Sequence, residues 1–232
     1  MVALYLLPAY LGETSPKNIF SEQEINLLQE LKFFVAENEK SARKFIKFLC
    51  PNVIQKELSF SILDKRTSEQ QIPEIAQPLI EGHSIGLISE AGLPCIADPG
   101  SLLVSWCHTK GIRVIPINGP SSIILALIAS GLNGQNFTFH GYLPIDSIQR
   151  KKKLQQLENI CRVSHTAQIF METPYRNQSL FEDLLKGLKN STHLCIATNI
   201  TLPDESIKTF TIGEWKNKKT DFQKKPTIFI IQ

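Results

Sequence analysis

Cysteine is scarce and scattered. The chain has 5, at Cys50, Cys95, Cys107, Cys161 and Cys195, and none belongs to a Cys-x-x-Cys pair. An odd set without pairing or a secretion signal argues against a disulfide framework and against a zinc site, leaving reduced thiols of a cytoplasmic protein. Long apolar runs are missing too. The most apolar stretch, Ile123 to Leu132, is interrupted by Ser130 and Gly131 and falls far short of the roughly 20 residues that span a bilayer. Met1 to Pro8 is apolar but lacks the basic leader of a signal peptide, so it is expected to be a first strand. Glycine (12) and proline (13) are too few for a collagen-like or low-complexity chain. Nor is there a large charge of one sign. The 25 Lys+Arg against 22 Asp+Glu leave +3, which neither argues for a nucleic-acid partner nor forbids one.

What is present is a globular chain of 232 residues, 42% of them hydrophobic, in which short apolar runs alternate with longer amphipathic stretches. That alternation predicts an α/β protein. Strands are expected at Val2 to Leu7, Phe33 to Ala36, Ser84 to Ser89 and Arg113 to Ile117, and helices at Phe20 to Leu31, Ser41 to Leu49, Ile72 to Gly82, Ser101 to Lys110 and Ile123 to Ser130. After the Gly/Asn-rich link at Asn133 to Asn136 the pattern changes. Phe137 to Leu143 opens the new region, and strands are expected at Gln168 to Met171, His193 to Asn199, Ile207 to Ile212 and Thr227 to Ile231. Helices are expected from Arg150 and over Asn177 to Leu188. The expectation is two domains, residues 1–134 and 135–232, each built on a mixed sheet.

The usual nucleotide and hydrolase signatures are absent: no G-x-G-x-x-G after a strand, no P-loop, no metal-spaced His/Cys/Asp cluster and no nucleophile elbow around Ser121 and Ser122. The densest loop runs from Ser89 to Gly100 and leaves a buried strand, the position where open parallel sheets bind ligands. Gly92 permits close backbone approach there, and Gly92 to Ile96 is expected to touch a ligand. Asp98 is expected to cap the helix that follows.

Ser89-Glu90-Ala91-Gly92-Leu93-Pro94 with Asp98-Pro99-Gly100, then Asn118-Gly119-Pro120-Ser121-Ser122, Ala129-Ser130-Gly131-Leu132, Phe139-His140-Gly141-Tyr142-Leu143-Pro144 and Met171-Glu172-Thr173-Pro174-Tyr175-Arg176 together resemble the tetrapyrrole methylase family of S-adenosylmethionine (SAM) methyltransferases. Within it, the resemblance is strongest to the branch that includes the bacterial small-subunit ribosomal RNA cytidine 2′-O-methyltransferase. It implies two α/β domains with SAM in the cleft between them, and a homodimer. It also implies cofactor contacts from Pro8, Gly92, Leu93, Pro94, Ile96, Ser121, Ser122, Met171, Ala197, Thr198 and Thr227. A methyl transfer from a sulfonium relies on positioning and desolvation and needs neither a metal nor a nucleophile of the enzyme's own.

The acceptor side departs from that branch. Pro8-Ala9-Tyr10-Leu11-Gly12-Glu13 stands where the branch has Pro-Thr-Pro-Ile-Gly-Asn, and Ala36-Glu37-Asn38-Glu39-Lys40 where it has Ala-Glu-Asp-Thr-Arg. RNA is nonetheless favoured by basic residues at Arg43, Lys44, Lys47, Arg150 to Lys153, Lys216, Lys218, Lys219, Lys224 and Lys225, and by Tyr10, Tyr142 and Tyr175 as stacking surfaces. Glu37, Glu172 and Arg176 are the candidates for proton removal or acceptor positioning. A structural ion pair between Glu172 and Arg176 stands as the equal alternative. Three functions stay open: a methyltransferase acting on ribose hydroxyls of ribosomal RNA, one acting on a tetrapyrrole or other small molecule, and a SAM-binding protein without turnover.

Overall fold

The computed structural model describes residues 2–12, 20–218, 220–221 and 224–232, so Glu13 and Lys219 of the sequence reading lie outside the described residues. The chain divides into two compact units, Met1–Ser121 and Ser122–Gln232.

The first unit is a parallel sheet covered on both faces. Its strands are β1 (Ala3–Leu7), β2 (Phe33–Ala36), β3 (Ser59–Ile62), β4 (Ile85–Ile88) and β5 (Arg113–Pro116), in the order β3-β2-β4-β1-β5. Every ladder is parallel, which corrects the expectation of a mixed sheet here. Each strand is joined to the next by a helical crossover that returns the chain in the same direction. The helices are α1 (Glu22–Glu30), α2 (Glu39–Leu49), α3 (Ile72–Ile75), α4 (Gln77–Ile80) and α5 (Ser101–Thr109). Leu28 of α1 and Phe45, Ile46 and Leu49 of α2 bury against Leu7, Phe34 and Ile88. Ile72, Leu79 and Leu103 cover Leu4, Val35 and Leu87 in a separate cluster. Successive residues of a strand point to opposite faces, so the two clusters are the two sides of one sheet.

Three local outcomes have simple causes. The helix read over Ile72 to Gly82 breaks in two at Ala76, because Pro78 has no N–H to continue the ladder. The edge strand β3 carries no signal in Ser-Phe-Ser-Ile, whose residues are half-buried or exposed. Asn38, where the related branch has Asp, caps α2: its Oδ1 accepts the Lys40 and Ser41 amides at 2.9 and 3.2 Å. Either residue makes that cap equally well.

The second unit contains α6 (Ser122–Ser130), β6 (Phe137–Tyr142), α7 (Ser147–Ser164), β7 (Ala167–Glu172), α8 (Asn177–Gly187), β8 (His193–Thr198), β9 (Ser206–Thr211), α9 (Ile212–Trp215) and β10 (Thr227–Ile231). Its sheet, ordered β6-β7-β10-β8-β9, is mixed: β6 and β7 are parallel and the other ladders antiparallel. The last strand of the chain is thus the middle strand, and all of Thr227–Ile231 is buried. Phe229 and Ile231 pack with Leu154, Leu157, Leu180 and Trp215. Ile228 and Ile230 alternate to the other face, and α6 contacts β10, β8 and β9. Helix α6 therefore belongs with the second unit. The compact units part at Ser121–Ser122, whereas the sequence reading draws its line after residue 134 at the glycine-rich link.

Helix α7 starts at Ser147 on an Asp146 cap, so the basic run Arg150 to Lys153 lies inside its first turns. Arg150 itself is buried. Its guanidinium donates to Asp183 Oδ2 (2.7 Å from Nε), the Ile145 carbonyl and Ser179 Oγ, which ties α7 to α8 and removes this arginine from any RNA surface.

Gly86 sits in the middle of β4, and a Cβ there would meet Leu7 Cδ1 at 2.6 Å and the Phe34 ring at 2.9 Å. Both neighbours are buried. Gly86→Ala is expected to cost about 1–3 kcal/mol by overpacking, seen as a lower urea midpoint at unchanged m-value. A midpoint equal to wild type would contradict this packing.

Candidate functional site

In the first unit the candidate residues gather at the carboxyl ends of β4, β1 and β5. Ala9, two residues past β1, and Gly92, four past β4, exchange backbone hydrogen bonds: Ala9 N–H to Gly92 O at 2.9 Å and Gly92 N–H to Ala9 O at 3.2 Å. Ser89 locks the junction, its Oγ donating to Gly92 O (2.5 Å) and accepting from Ala9 N–H (3.2 Å). The third loop closes from the β5 side. A Cβ on Gly119 would fall 2.2 Å from Pro8 Cγ, and one on Gly92 would come to 3.3 Å from both Leu11 Cδ2 and the Pro120 carbonyl. Gly92 also has φ +71°, the left-handed region that favours glycine. Pro8, Gly92 and Pro94 are buried, Leu93 is half-buried and Ile96 is exposed. This is a surface of backbone and small apolar groups shaped for close approach. Among the described residues it contains no candidate metal cluster.

The rest of the loop holds unusual backbone. Cys95 (φ 67°) and Ala97 (φ 57°) are left-handed without being glycine. Such residues cost of order 1–3 kcal/mol each and persist where surrounding structure enforces them. Asp98 does not cap α5, contrary to expectation. The cap is Gly100 at φ 143°, with no side-chain bond. Asp98 faces Glu37 and Glu90 instead, and one of its carboxylate oxygens is buried without a hydrogen-bond partner among the described residues. Burial, then the Glu37 and Glu90 charges, push its carboxyl up to about 6. Glu37 follows β2, half-buried, in a polar cavity of about 370 Å³ shared with Asn38, Asp64, Arg66 and Glu90.

In the second unit the register of the antiparallel sheet collects the remaining candidates into two adjacent rows. Thr227 pairs with Glu172 on one side and Thr198 on the other; Ile228 pairs with Met171 and Ala197. Six residues from three strands widely separated in sequence thus share one end of one sheet. The Glu172 side chain is fully buried. Its Oε1 accepts from Arg176 Nε (2.9 Å), Arg176 Nη2 (2.6 Å) and the Thr173 amide (2.6 Å), while its Oε2 is buried with no hydrogen-bond partner among the described residues. Arg176 remains about a third exposed. The ion pair weighed from the sequence is present, and it leaves Glu172 as an anchor for a guanidinium that still reaches solvent. Ser121 is buried, and Ser122 opens α6.

Two residues important to these arrangements escape the sequence reading. Ser89 looks like the end of an apolar strand, and its role as a latch requires knowing that Ala9 and Gly92 meet. Asn177 is completely buried, its Nδ2 donating to Lys225 O and Thr227 Oγ1 across 48 and 50 residues. No local pattern reports such a partner. His140, half-buried, bonds Gln168 Oε1 at 2.7 Å. Arg43 is bound by Glu39 and the Gln55 and Leu58 carbonyls over the Phe60 ring, so it is not a free cation.

The raised carboxyl of Asp98 has a sign that can be tested. The folded protein holds this proton more tightly than the unfolded chain, whose value is about 3.9, so stability falls as pH rises from about 4 to about 6. Asp98→Asn removes that penalty. The carboxyl is partly solvated, which limits the gain to about 1 kcal/mol at about pH 8, vanishing near about pH 4. Denaturant midpoints measured across this range read the effect, and a variant no more stable at the upper end would overturn it.

Among the described residues no helix is long and apolar enough to cross a membrane. The family model of Tetrapyrrole (Corrin/Porphyrin) Methylases matches residues 20–216. The chain is 32% identical over 211 residues to the Ribosomal RNA small subunit methyltransferase I of Vibrio cholerae serotype O1, covering 91% of this chain and 69% of that one. It is 31% identical over 220 residues to the protein of the same name in Halalkalibacterium halodurans, covering 94% and 72%. Among solved structures, the methyltransferase CobJ superposes with TM-score 0.64 at 15% identity, covering 100% of this chain and 94% of that one. A doubly covered parallel sheet, a mixed second sheet and a backbone cradle in place of a catalytic triad or metal centre agree with those likenesses. The chain belongs to the tetrapyrrole methylase family and is a methyltransferase whose methyl donor is S-adenosylmethionine.

Proposed function

We propose that this methyltransferase acts on RNA of the small ribosomal subunit, at a ribose hydroxyl, as a cytoplasmic homodimer. The observation that carries the reading is the likeness, over 91% of the chain, to a relative named for small-subunit ribosomal RNA. Exposed lysines support it, and Ile128, Ile145 and Ile148 supply exposed apolar surface on the second unit for a second copy.

Bound SAM would supply an electrophilic methyl group on a sulfonium. The cradle of Pro8, Gly92, Leu93, Pro94 and Ile96 fits such a ligand because it offers apolar contact and closely approachable backbone at the crevice of an open parallel sheet. Ser121 adds a hydroxyl on the same unit, and Ser122, Met171, Ala197, Thr198 and Thr227 are the cofactor contacts proposed for the second unit. No fixed charge of the cradle opposes the sulfonium, and the acids Glu37, Glu90 and Asp98 lie on the same unit. Holding the two reactants in line and excluding water accounts for much of the rate in such a transfer.

The acceptor proton needs a destination. Among the three candidates, Glu172 is committed to Arg176, whereas Glu37 has no ion pair among the described residues. The assignment is therefore Glu37 as the base, and Arg176, braced by Glu172, as the group that orients the acceptor. A small-molecule acceptor is the second reading, favoured by the corrin and porphyrin chemistry for which the family is named.

Radiolabelled SAM, incubated with small subunits and naked RNA from cells lacking this protein, is expected to label the small-subunit RNA. Cofactor binding without label in any RNA would move the search to small molecules. Glu37→Gln is expected to slow transfer by roughly 10²–10⁴-fold while SAM affinity measured by calorimetry stays unchanged. Gly92→Arg is expected to abolish SAM binding in a chain with wild-type circular dichroism. Retained affinity in that folded variant would refute the cradle.

A further inference from the structure

We propose that an apolar cavity in the first unit, adjoining the cradle, receives an unpaired nucleobase of the acceptor RNA while the adjoining backbone phosphates run along α2; this rests on the RNA reading above. The cavity is about 540 Å³ and lies between the segment after β1, the start of the Ser89 loop and α2. That volume falls in the range of small-molecule clefts, roughly 300–1,000 Å³.

Its wall is aromatic. The Tyr10 ring stands edge-on to Phe45 (5.0 Å) and to Phe48 (5.4 Å), so three rings brace one another in fixed orientations. Phe48 is 48% exposed. On α2 it lies one turn from Lys44, which lies one turn from Lys40, and residues four apart on a helix are neighbours on one face. Lys40 and Lys44 form no ion pair among the described residues and are exposed. A row of unpaired cations ending on an exposed ring is the chemistry of single-strand binding, phosphates neutralised along the row and a base stacked at its end.

The polar group at the cavity selects among apolar ligands. Glu90 is held by Ser41 Oγ at 2.5 Å, and its carboxylate can accept from an exocyclic amino group of a base. The same carboxylate, with Glu37 and Asp98 nearby, repels a macrocycle fringed with carboxylates. Arg43 is occupied elsewhere, so the cationic row owes nothing to it.

The test uses the full chain and a fluorescein-labelled single-stranded oligoribonucleotide of about 12 nucleotides, read by anisotropy at several salt concentrations. Phe48→Ala is expected to weaken binding about tenfold, and Phe48→Trp to retain affinity and show indole quenching as RNA is added. The double change Lys40→Gln and Lys44→Gln is expected to flatten the slope of log affinity against log salt by about 1.4, at about 0.7 per phosphate contact. SAM affinity by calorimetry is expected to be unchanged in all three. Wild-type RNA affinity and salt slope in the variants would overturn the nucleobase site while leaving RNA as the substrate. Loss of SAM binding in Phe48→Ala would assign the cavity to the cofactor and overturn it. A wild-type chain that neither binds nor labels RNA would overturn both.

Discussion

The hydroxyl of Ser89 joins two loops that a parallel sheet would otherwise leave independent. In such a sheet every strand ends on the same side, and each loop departs into its own crossover with no hairpin partner. The candidate cradle needs Gly119 close against Pro8 and Gly92 close against the Pro120 carbonyl, where a Cβ on either glycine would crowd its neighbour. Ser89 accomplishes this by serving both chains at once, accepting from Ala9 and donating to Gly92. Each bond contributes only about 1 kcal/mol net. Their larger consequence is geometric, because they fix the separation of the Ala9 and Gly92 segments. The left-handed Cys95 and Ala97 can then be sustained by a loop whose first turn is already fixed.

The second unit reaches the same end differently. There the antiparallel ladders set positions directly, since a shift of one residue would turn every side chain to the other face. The rows through Thr227 and Ile228 need no dedicated latch, because β10 is buried on both faces and paired on both edges. Asn177 adds a polar tie, fixing the chain entering β10 by donating to Lys225 O and Thr227 Oγ1. One unit thus places its groups by loop chemistry and the other by strand register. This explains why the sequence motifs of the first unit are dense and local, while the candidates of the second are single residues spread from Met171 to Thr227.

Legibility followed the same division. Strands β1, β2, β4, β5 and β10 announce themselves as short apolar runs, and most helices by their periodicity. The Gly92 loop was readable because its glycines and prolines sit just after a buried strand. The reading was blind to β3, whose Ser-Phe-Ser-Ile packs weakly at an edge, and it carried the helix through Pro78. It placed the domain change at the glycine-rich link instead of before α6, because an apolar helix does not reveal from its own residues which sheet it covers. Asp98 was read as a cap from local spacing alone. Its surroundings of Glu37 and Glu90 arise from tertiary placement and leave no local trace.

Basic residues show most plainly how far composition can be trusted. The sequence offers Arg43 and Arg150 on equal terms with the lysines, yet both arginines are spent inside the structure. Arg150 joins two helices, and Arg43 ties α2 to the Gln55 and Leu58 carbonyls. The planar guanidinium, with several donors in fixed directions, suits that internal role; a compact ammonium on a flexible stem does not. Lys225 is likewise drawn into pairs with Asp204 and Asp221, and Lys216 binds Asn190. Removing these committed cations leaves fewer charges for a polyanion but concentrates them. On α2 Lys40 and Lys44, without ion pairs among the described residues, stand one turn apart, beside an aromatic ring that no solvated helix face requires. A chain with a net charge of only +3 can still present an ordered positive row when its other cations are engaged in holding the fold.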